Sequence, residues 1–305
     1  MPQTEKRTED APPQCPALDL CPMDQLLGLL VGDQQQALAA VQSALPQLQR
    51  SVEAALPGLR QGGRLIYVGA GSSGRLGVLD GVELNPTFSW PRERALGLMA
   101  GGPAAMFEAV EGAEDDEAAG RSEMQALAPN ANDVVIALAA SGCTPYVLGA
   151  VAAAHEAGAL TLGLAHNAGT PLLQHAAIGI LLDTGPELIA GSTRLKAGTA
   201  QKIALNALSS ALMVQLHRVH DCWMVDMRAT NAKLRRRAQA LAERLGRASP
   251  TAAQAALQAC DGELKPAILM LRGGLDAPAA RALLDGCGGH LRQALTRLGL
   301  PAIDA

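Results

Sequence analysis

A chain of 305 residues, 49% of them hydrophobic, is long enough to bury one large core and a smaller one beside it. Its formal net charge of -4 and aromatic content of 2% leave neither a basic footprint nor stacking rings, so nucleic acid is excluded as a partner. The six cysteines form no CxxC pair and no metal-ligand grouping with the six histidines, so a reduced, cytoplasmic setting is expected, with no metal and no cofactor.

Residues 1 to about 20, opening MPQTEKRTEDAPPQ, are polar and proline-bearing, lack the apolar core of a signal peptide and read as a disordered or loosely attached tail. No apolar run reaches the roughly 18 residues of a membrane span; the stretch 147–165 is broken by His155, Glu156 and glycines. Helical spacing over 23–30 and 34–59, punctuated by Pro46 and Pro57, completes a lead-in of residues 1–58.

From residue 59 to 222 the pattern changes. Short apolar runs at 65–68, 96–100, 134–138, 160–164 and 178–182, each bounded by Gly or Asn and followed by a helical pattern, predict an α/β domain with a doubly wound, five-stranded parallel sheet. Asp115 and Asp116 place negative charge at the start of a helix near 116–127, Thr144-Pro145 opens another, and a long helix is expected from about 196 to 219. Beyond Asp221 the strand signals stop. Segments 231–246, 250–259, 262–272, 277–285 and 288–298, separated by Gly and Pro, predict an all-helical region over 223–305. The one basic cluster, Arg235 to Arg237, reads as a solvated face of the first of these helices.

The first strand runs directly into Gly69-Ala70-Gly71-Ser72-Ser73-Gly74-Arg75. Glycines there allow a tight turn, and backbone N–H groups can meet an anion at a helix start. The same residues satisfy G-x-G-x-x-G, but a dinucleotide site wants an acid at the end of the second strand, and that strand ends Leu98-Met99-Ala100-Gly101-Gly102. Two serines in the loop suit a compact phosphate monoester. The third strand runs into a second such loop, Ala139-Ala140-Ser141-Gly142-Cys143-Thr144-Pro145. If strands 1 and 3 are neighbours, both loops meet at the switch in strand order. A sugar phosphate is therefore the expected ligand. Four acids near this crevice, Glu83, Glu114, Asp115 and Asp116, are candidates for proton transfer, and residue pattern does not choose among them. Asn85-Pro86 is expected to stop the helix that carries Glu83.

The segments GRLIYVGAGSSGRLGVLDGVE, AVEGAEDD, AASGCTPYV, GPELIAGSTRLKAGTAQK and VDMRATNAKLRRRA closely resemble the N-acetylmuramic acid 6-phosphate etherases of the sugar isomerase (SIS) fold group. The resemblance implies a sheet of flavodoxin-like order. It also implies a cytoplasmic, homodimeric lyase that removes the D-lactyl ether of N-acetylmuramic acid 6-phosphate in cell-wall amino-sugar recycling, without metal or cofactor. On the family's motifs, Glu83 (before Asn85-Pro86-Thr87) and Glu114 (in Glu111-Gly112-Ala113-Glu114-Asp115) are the catalytic pair. Gly71, Ser72, Ser73, Ser141, Gly142 and Thr144 fall in the phosphate- and sugar-contacting loops, and Glu187, Ser192 and Lys196 are further candidate substrate contacts. Two departures stand out: Val82-Glu83-Leu84-Asn85 replaces the usual Ser-Glu-Cys-Pro, and Cys143 stands where the family commonly carries arginine. Two other readings of the same fold are a sugar-phosphate isomerase and a non-catalytic sugar-phosphate-binding regulator.

Overall fold

The run Leu65-Ile66-Tyr67-Val68 is buried along its whole length, as a strand covered by helices on both faces must be. In the computed structural model, which describes residues 7–14, 16–227 and 232–300, it forms β1 (Leu65–Gly69), an interior strand of a parallel sheet with β2 (Ala95–Met99), β3 (Val134–Leu138), β4 (Leu160–Ala165) and β5 (Ile178–Leu181). The order is β2-β1-β3-β4-β5. The chain moves outward from β1 to β2, returns to β3 on the other side of β1, and continues outward, so the switch in winding lies between β1 and β3. The expected sheet, its neighbours and its five segments are all present. Residues 1–6, Cys15, residues 228–231 of the VDMRATNAKLRRRA motif and residues 301–305 lie outside the described part of the chain.

Helices α1 (Met23–Asp33), α2 (Gln35–Ser43) and α3 (Leu45–Arg60) lead in, and α3 lies against β3, β4 and β5. Between the strands run α4 (Gly71–Phe88), α5 (Glu117–Ala126), α6 (Pro145–Glu156) and the short α7 (Pro171–His175), followed by α8 (Lys196–Gln215). Asn85-Pro86 does not stop α4, which continues to Phe88. In the last turn the missing N–H of Pro86 costs one hydrogen bond, while Asn85 Nδ2 donates to the Trp90 carbonyl at 2.8 Å and secures the exit. Helices α5 and α6 pack backbone to backbone: a Cβ on Gly120 would lie 1.9 Å from the Tyr146 carbonyl oxygen, and one on Gly149 2.1 Å from that of Glu117.

The chain divides into two units, Met1–Val82 with Arg92–Ser210, and Glu83–Pro91 with Ala211–Ala305. The lead-in helices fall in the first unit. The second contains β6 (Val219–His220) and β7 (Trp223–Met224), then α9 (Ala232–Gly246), α10 (Pro250–Ala259), α11 (Leu264–Gly273), α12 (Ala277–Asp285) and α13 (Leu291–Arg297). These last five helices stand within three residues of the expected spans and close over Leu241, Leu245, Leu257, Ile268, Leu269 and Leu295. The antiparallel pair β6-β7 was not expected, because two-residue strands carry no periodicity. Arg235, Arg236 and Arg237 are all exposed on α9, as a solvated face requires.

Residues 7 to 10 overturn the expectation of a loose tail. Thr8 is 1% exposed; its backbone N–H donates to Asn167 Oδ1 at 3.2 Å, and Asn167 Nδ2 donates back to its hydroxyl at 2.9 Å. Arg7 Nη1 reaches the Asp183 carboxylate at 2.8 Å, a half-exposed pair worth about 0–1 kcal/mol. Nothing in the composition of 7–10 marks this attachment, since its partners lie about 160 to 175 residues away.

At the N-terminal ends of the strands, Asp133 is 1% exposed and ties β1 to β3. Its Oδ1 accepts the Arg64 backbone N–H at 2.8 Å and its Oδ2 accepts Arg64 Nη2 at 2.6 Å and the Asn130 N–H at 3.0 Å. Burial pushes the carboxyl up, but the hydrogen bonds and charge of Arg64 outweigh it and hold Asp133 below the usual carboxylate range. A depressed carboxyl stabilises the fold above its unfolded value near 3.9 and loses that contribution as pH falls through the folded value. Asp133→Asn is expected to cost about 2 kcal/mol at pH 7. In urea denaturation, the gap from the wild type should close as the pH is lowered below about 4.

Candidate active site

Gly69 ends β1 and Gly74 lies in the first turn of α4, and each occupies the space the other's side chain would need. A Cβ on Gly69 would lie 2.7 Å from Gly74 Cα, and one on Gly74 2.7 Å from the Gly69 carbonyl oxygen. The two glycines let the helix start directly above the strand end, so the uncapped N–H groups of its first turn face the crevice. Farther along, Gly77 and Gly81 lie flat on the Tyr67 ring, with Cβ positions 3.2 Å from Tyr67 Cβ and 3.0 Å from Cε2. The Tyr67 hydroxyl donates to Asp80 Oδ2 at 2.8 Å, and Ser209 donates to Oδ1 at 3.2 Å. Burial raises both the Asp80 carboxyl and the Tyr67 hydroxyl above their ordinary values. This network fixes the direction of α4.

The loop after β3 is held in the same exacting way. Gly142 has φ +72°, and a Cβ there would lie 2.2 Å from the Thr170 hydroxyl, so only glycine fits. Ser141 Oγ accepts the Cys143 N–H at 3.2 Å, which shapes the turn into α6. The two loops meet, as the strand order requires, and enclose a cavity of about 380 Å³.

Gly71, Ser72, Ser73, Ser141 and Thr144 line it, with Cys143 and Glu114. Gly142 supports the wall from behind. Glu114 is exposed on a single 3-10 turn, Ala113–Asp115, that starts after Gly112 with φ 71°. Asp116 is committed elsewhere: its carboxylate accepts the Ala119 N–H at 2.8 Å and caps α5. Glu83 is exposed on the last turns of α4, within the second unit, and is not among the cavity's lining residues.

Glu187, Ser192 and Lys196 do not line the cavity either. Glu187 is fully buried and its two oxygens accept the N–H groups of Lys196 and Ala197 at 3.1 and 2.9 Å, capping α8. Burial raises its pKa, against those bonds and the nearby ammonium. Lys196, 2% exposed, is neutralised by Asp33 at 2.8 Å and bonds Gln36 at 2.9 Å. The motif's most polar members thus anchor the loop, and its neighbour Thr193 lines the cavity. Thr193 and Glu9 are lining residues that sequence reasoning missed, whereas Asp115 was among its four candidate acids. Thr193 lay within the run singled out, and Glu9 sat in the supposed tail.

Among the described residues, no lysine, arginine or histidine lines the cavity, whereas Glu9, Glu114 and Asp115 do. What those residues offer an anion is the N–H groups of two helix starts and the hydroxyls of the loops. Among the described residues, no three or more His, Cys, Asp or Glu side chains group as metal ligands, and no helix is long and apolar enough to cross a membrane.

The family model of the glucokinase regulatory protein N-terminal SIS domain matches residues 47–155. A Deinococcus radiodurans protein named N-acetylmuramic acid 6-phosphate etherase is 58% identical over 272 residues, covering 89% of each chain. Proteins of the same name from Streptomyces avermitilis and Enterobacter sp. (strain 638) are 44% and 48% identical, over 89% and 81% of this chain and 87% and 84% of theirs.

Because Cys143 is on the cavity wall and no cation is among the described lining residues, Cys143→Arg should add a charge-assisted contact to a bound phosphate. We expect calorimetric affinity for a hexosamine 6-phosphate to rise about tenfold.

Proposed function

The chain belongs to the N-acetylmuramic acid 6-phosphate etherases, and from that footing we propose that Glu114 is the base and Glu83 the proton donor of its reaction. The activity itself is cleavage of the D-lactyl ether of N-acetylmuramic acid 6-phosphate to N-acetylglucosamine 6-phosphate and D-lactate. The isomerase and regulator readings give way, because the curated relatives that match most of the chain carry the etherase name.

The chemistry asks for two carboxyl groups. An ether oxygen on C3 leaves poorly, but opening the ring exposes an aldehyde at C1 that acidifies the C2 proton. A carboxylate takes that proton, electrons move to form the C2–C3 double bond, and the C3–O bond breaks as a carboxylic acid protonates the departing lactate oxygen. Water then adds at C3. The observation that carries the base assignment is the place of Glu114 in one cavity with both phosphate loops. The donor assignment rests on the motif that Glu83 shares with the family.

Glu114→Gln should lose both lactate release and exchange of the C2 proton with deuterated solvent, by about 10²- to 10⁴-fold. Glu83→Gln should lose lactate release by a similar factor yet retain C2 exchange. Retained lactate release in Glu83→Gln would overturn the donor role. In heavy-oxygen water the label should enter at C3 of the sugar.

A cytoplasmic homodimer is the assembly we propose. Met23, Leu27 and Val31, spaced at i, i+4 and i+8 on α1, are 68%, 54% and 71% exposed, an apolar stripe that a second copy would cover. Val31→Asp should shift the chain from dimer to monomer in light scattering coupled to size exclusion, where wild type runs as a dimer.

A further inference from the structure

Among the described residues, Glu9 is the one lining residue of the cavity that comes from before the first helix. It is held there from both sides in sequence. Thr8 is buried in a reciprocal pair of hydrogen bonds with Asn167, at 3.2 and 2.9 Å, and the Asp10 N–H closes a turn onto the Arg7 carbonyl at 3.3 Å. Asn167 Nδ2 also donates to the Ser141 carbonyl at 3.2 Å. One side chain therefore joins the N-terminal segment to the second phosphate loop. Across the cavity mouth, Glu9 Oε2 lies 3.5 Å from where a Cβ on Gly191 would stand, two residues before the lining residue Thr193.

A carboxylate is an acceptor only. Beside a phosphate it repels, so in this cavity its partner must be a neutral donor on the sugar. In N-acetylmuramic acid 6-phosphate, C2 carries the amide, C3 the ether and C6 the phosphate. C1 becomes the aldehyde on which the elimination depends, and the amide N–H is on the carbon assigned to Glu114. The C4 hydroxyl is the donor that persists unchanged in the closed and opened ring. Resting on the etherase reading of this cavity, we propose that Glu9 is a specificity-determining residue that accepts a hydrogen bond from the C4 hydroxyl of the substrate.

The test is a cycle of two changes, measured as KM and kcat for lactate release: Glu9→Gln in the protein, and a 4-deoxy analogue in place of the substrate. Glu9 is exposed, so its isosteric replacement leaves the fold intact, which far-ultraviolet dichroism checks. Glu9→Gln is expected to raise KM for the parent sugar about tenfold, with the loss in KM rather than kcat. Wild type should show a similar rise with the 4-deoxy analogue, and the two changes together should cost no more than either alone. An unmoved KM in Glu9→Gln, or penalties that simply multiply, would overturn the assignment. Absence of lactate release by wild type would instead remove the etherase reading, so the two failures are distinct.

Discussion

The contact between Gly69 and Gly74 governs the rest of this structure. Two residues without side chains let α4 begin within bonding distance of the end of β1, with candidate Cβ positions 2.7 Å from the opposing backbone. Any larger residue would lift the helix and turn its first N–H groups away from the crevice. The Tyr67 ring under Gly77 and Gly81, and the buried Asp80 between Tyr67 and Ser209, then hold the helix in that direction. Because β1 and β3 are neighbours, the same arrangement brings the Ser141 loop alongside, and the anion site is a property of the topology before it is one of any side chain.

The cavity is unusual in its charge. Among the described residues three carboxylates and no cation line it, so what it offers an anion is the partial charge of helix starts, smaller than a full ion but fixed in direction. That balance makes sense of a cysteine at position 143: where arginine would clamp one end of an anionic substrate, Cys143 leaves recognition distributed over N–H groups and hydroxyls.

Much of this was legible in advance, and for identifiable reasons. The five strands are continuous apolar runs because both faces are covered, and their bounds fell within a residue of expectation at β1, β3 and β4. The two loops that line the cavity were readable because glycine and hydroxyl residues recur directly after strands. What could not be read were facts that depend on distant partners. Glu187 and Lys196 resemble binding residues in one dimension, yet a helix end and Asp33 consume them in three. Pro86 was taken as a stop, though proline in a last turn costs only one bond. Residues 7 to 10 carry no periodicity at all, and only Asn167 and Asp183 reveal where they belong.

The attachment of Thr8 has a bearing on how the polypeptide can be shortened. Met23 is the first residue of α1, so a product started at that internal methionine would retain every strand and every α-helix described above. It would nonetheless lack the Thr8 partner that satisfies Asn167, leaving a buried amide to hydrate and the Ser141 carbonyl's support loosened. The regular elements of the fold are thus all encoded from α1 onward, whereas a complete cavity also draws on a few residues upstream that belong to no regular element.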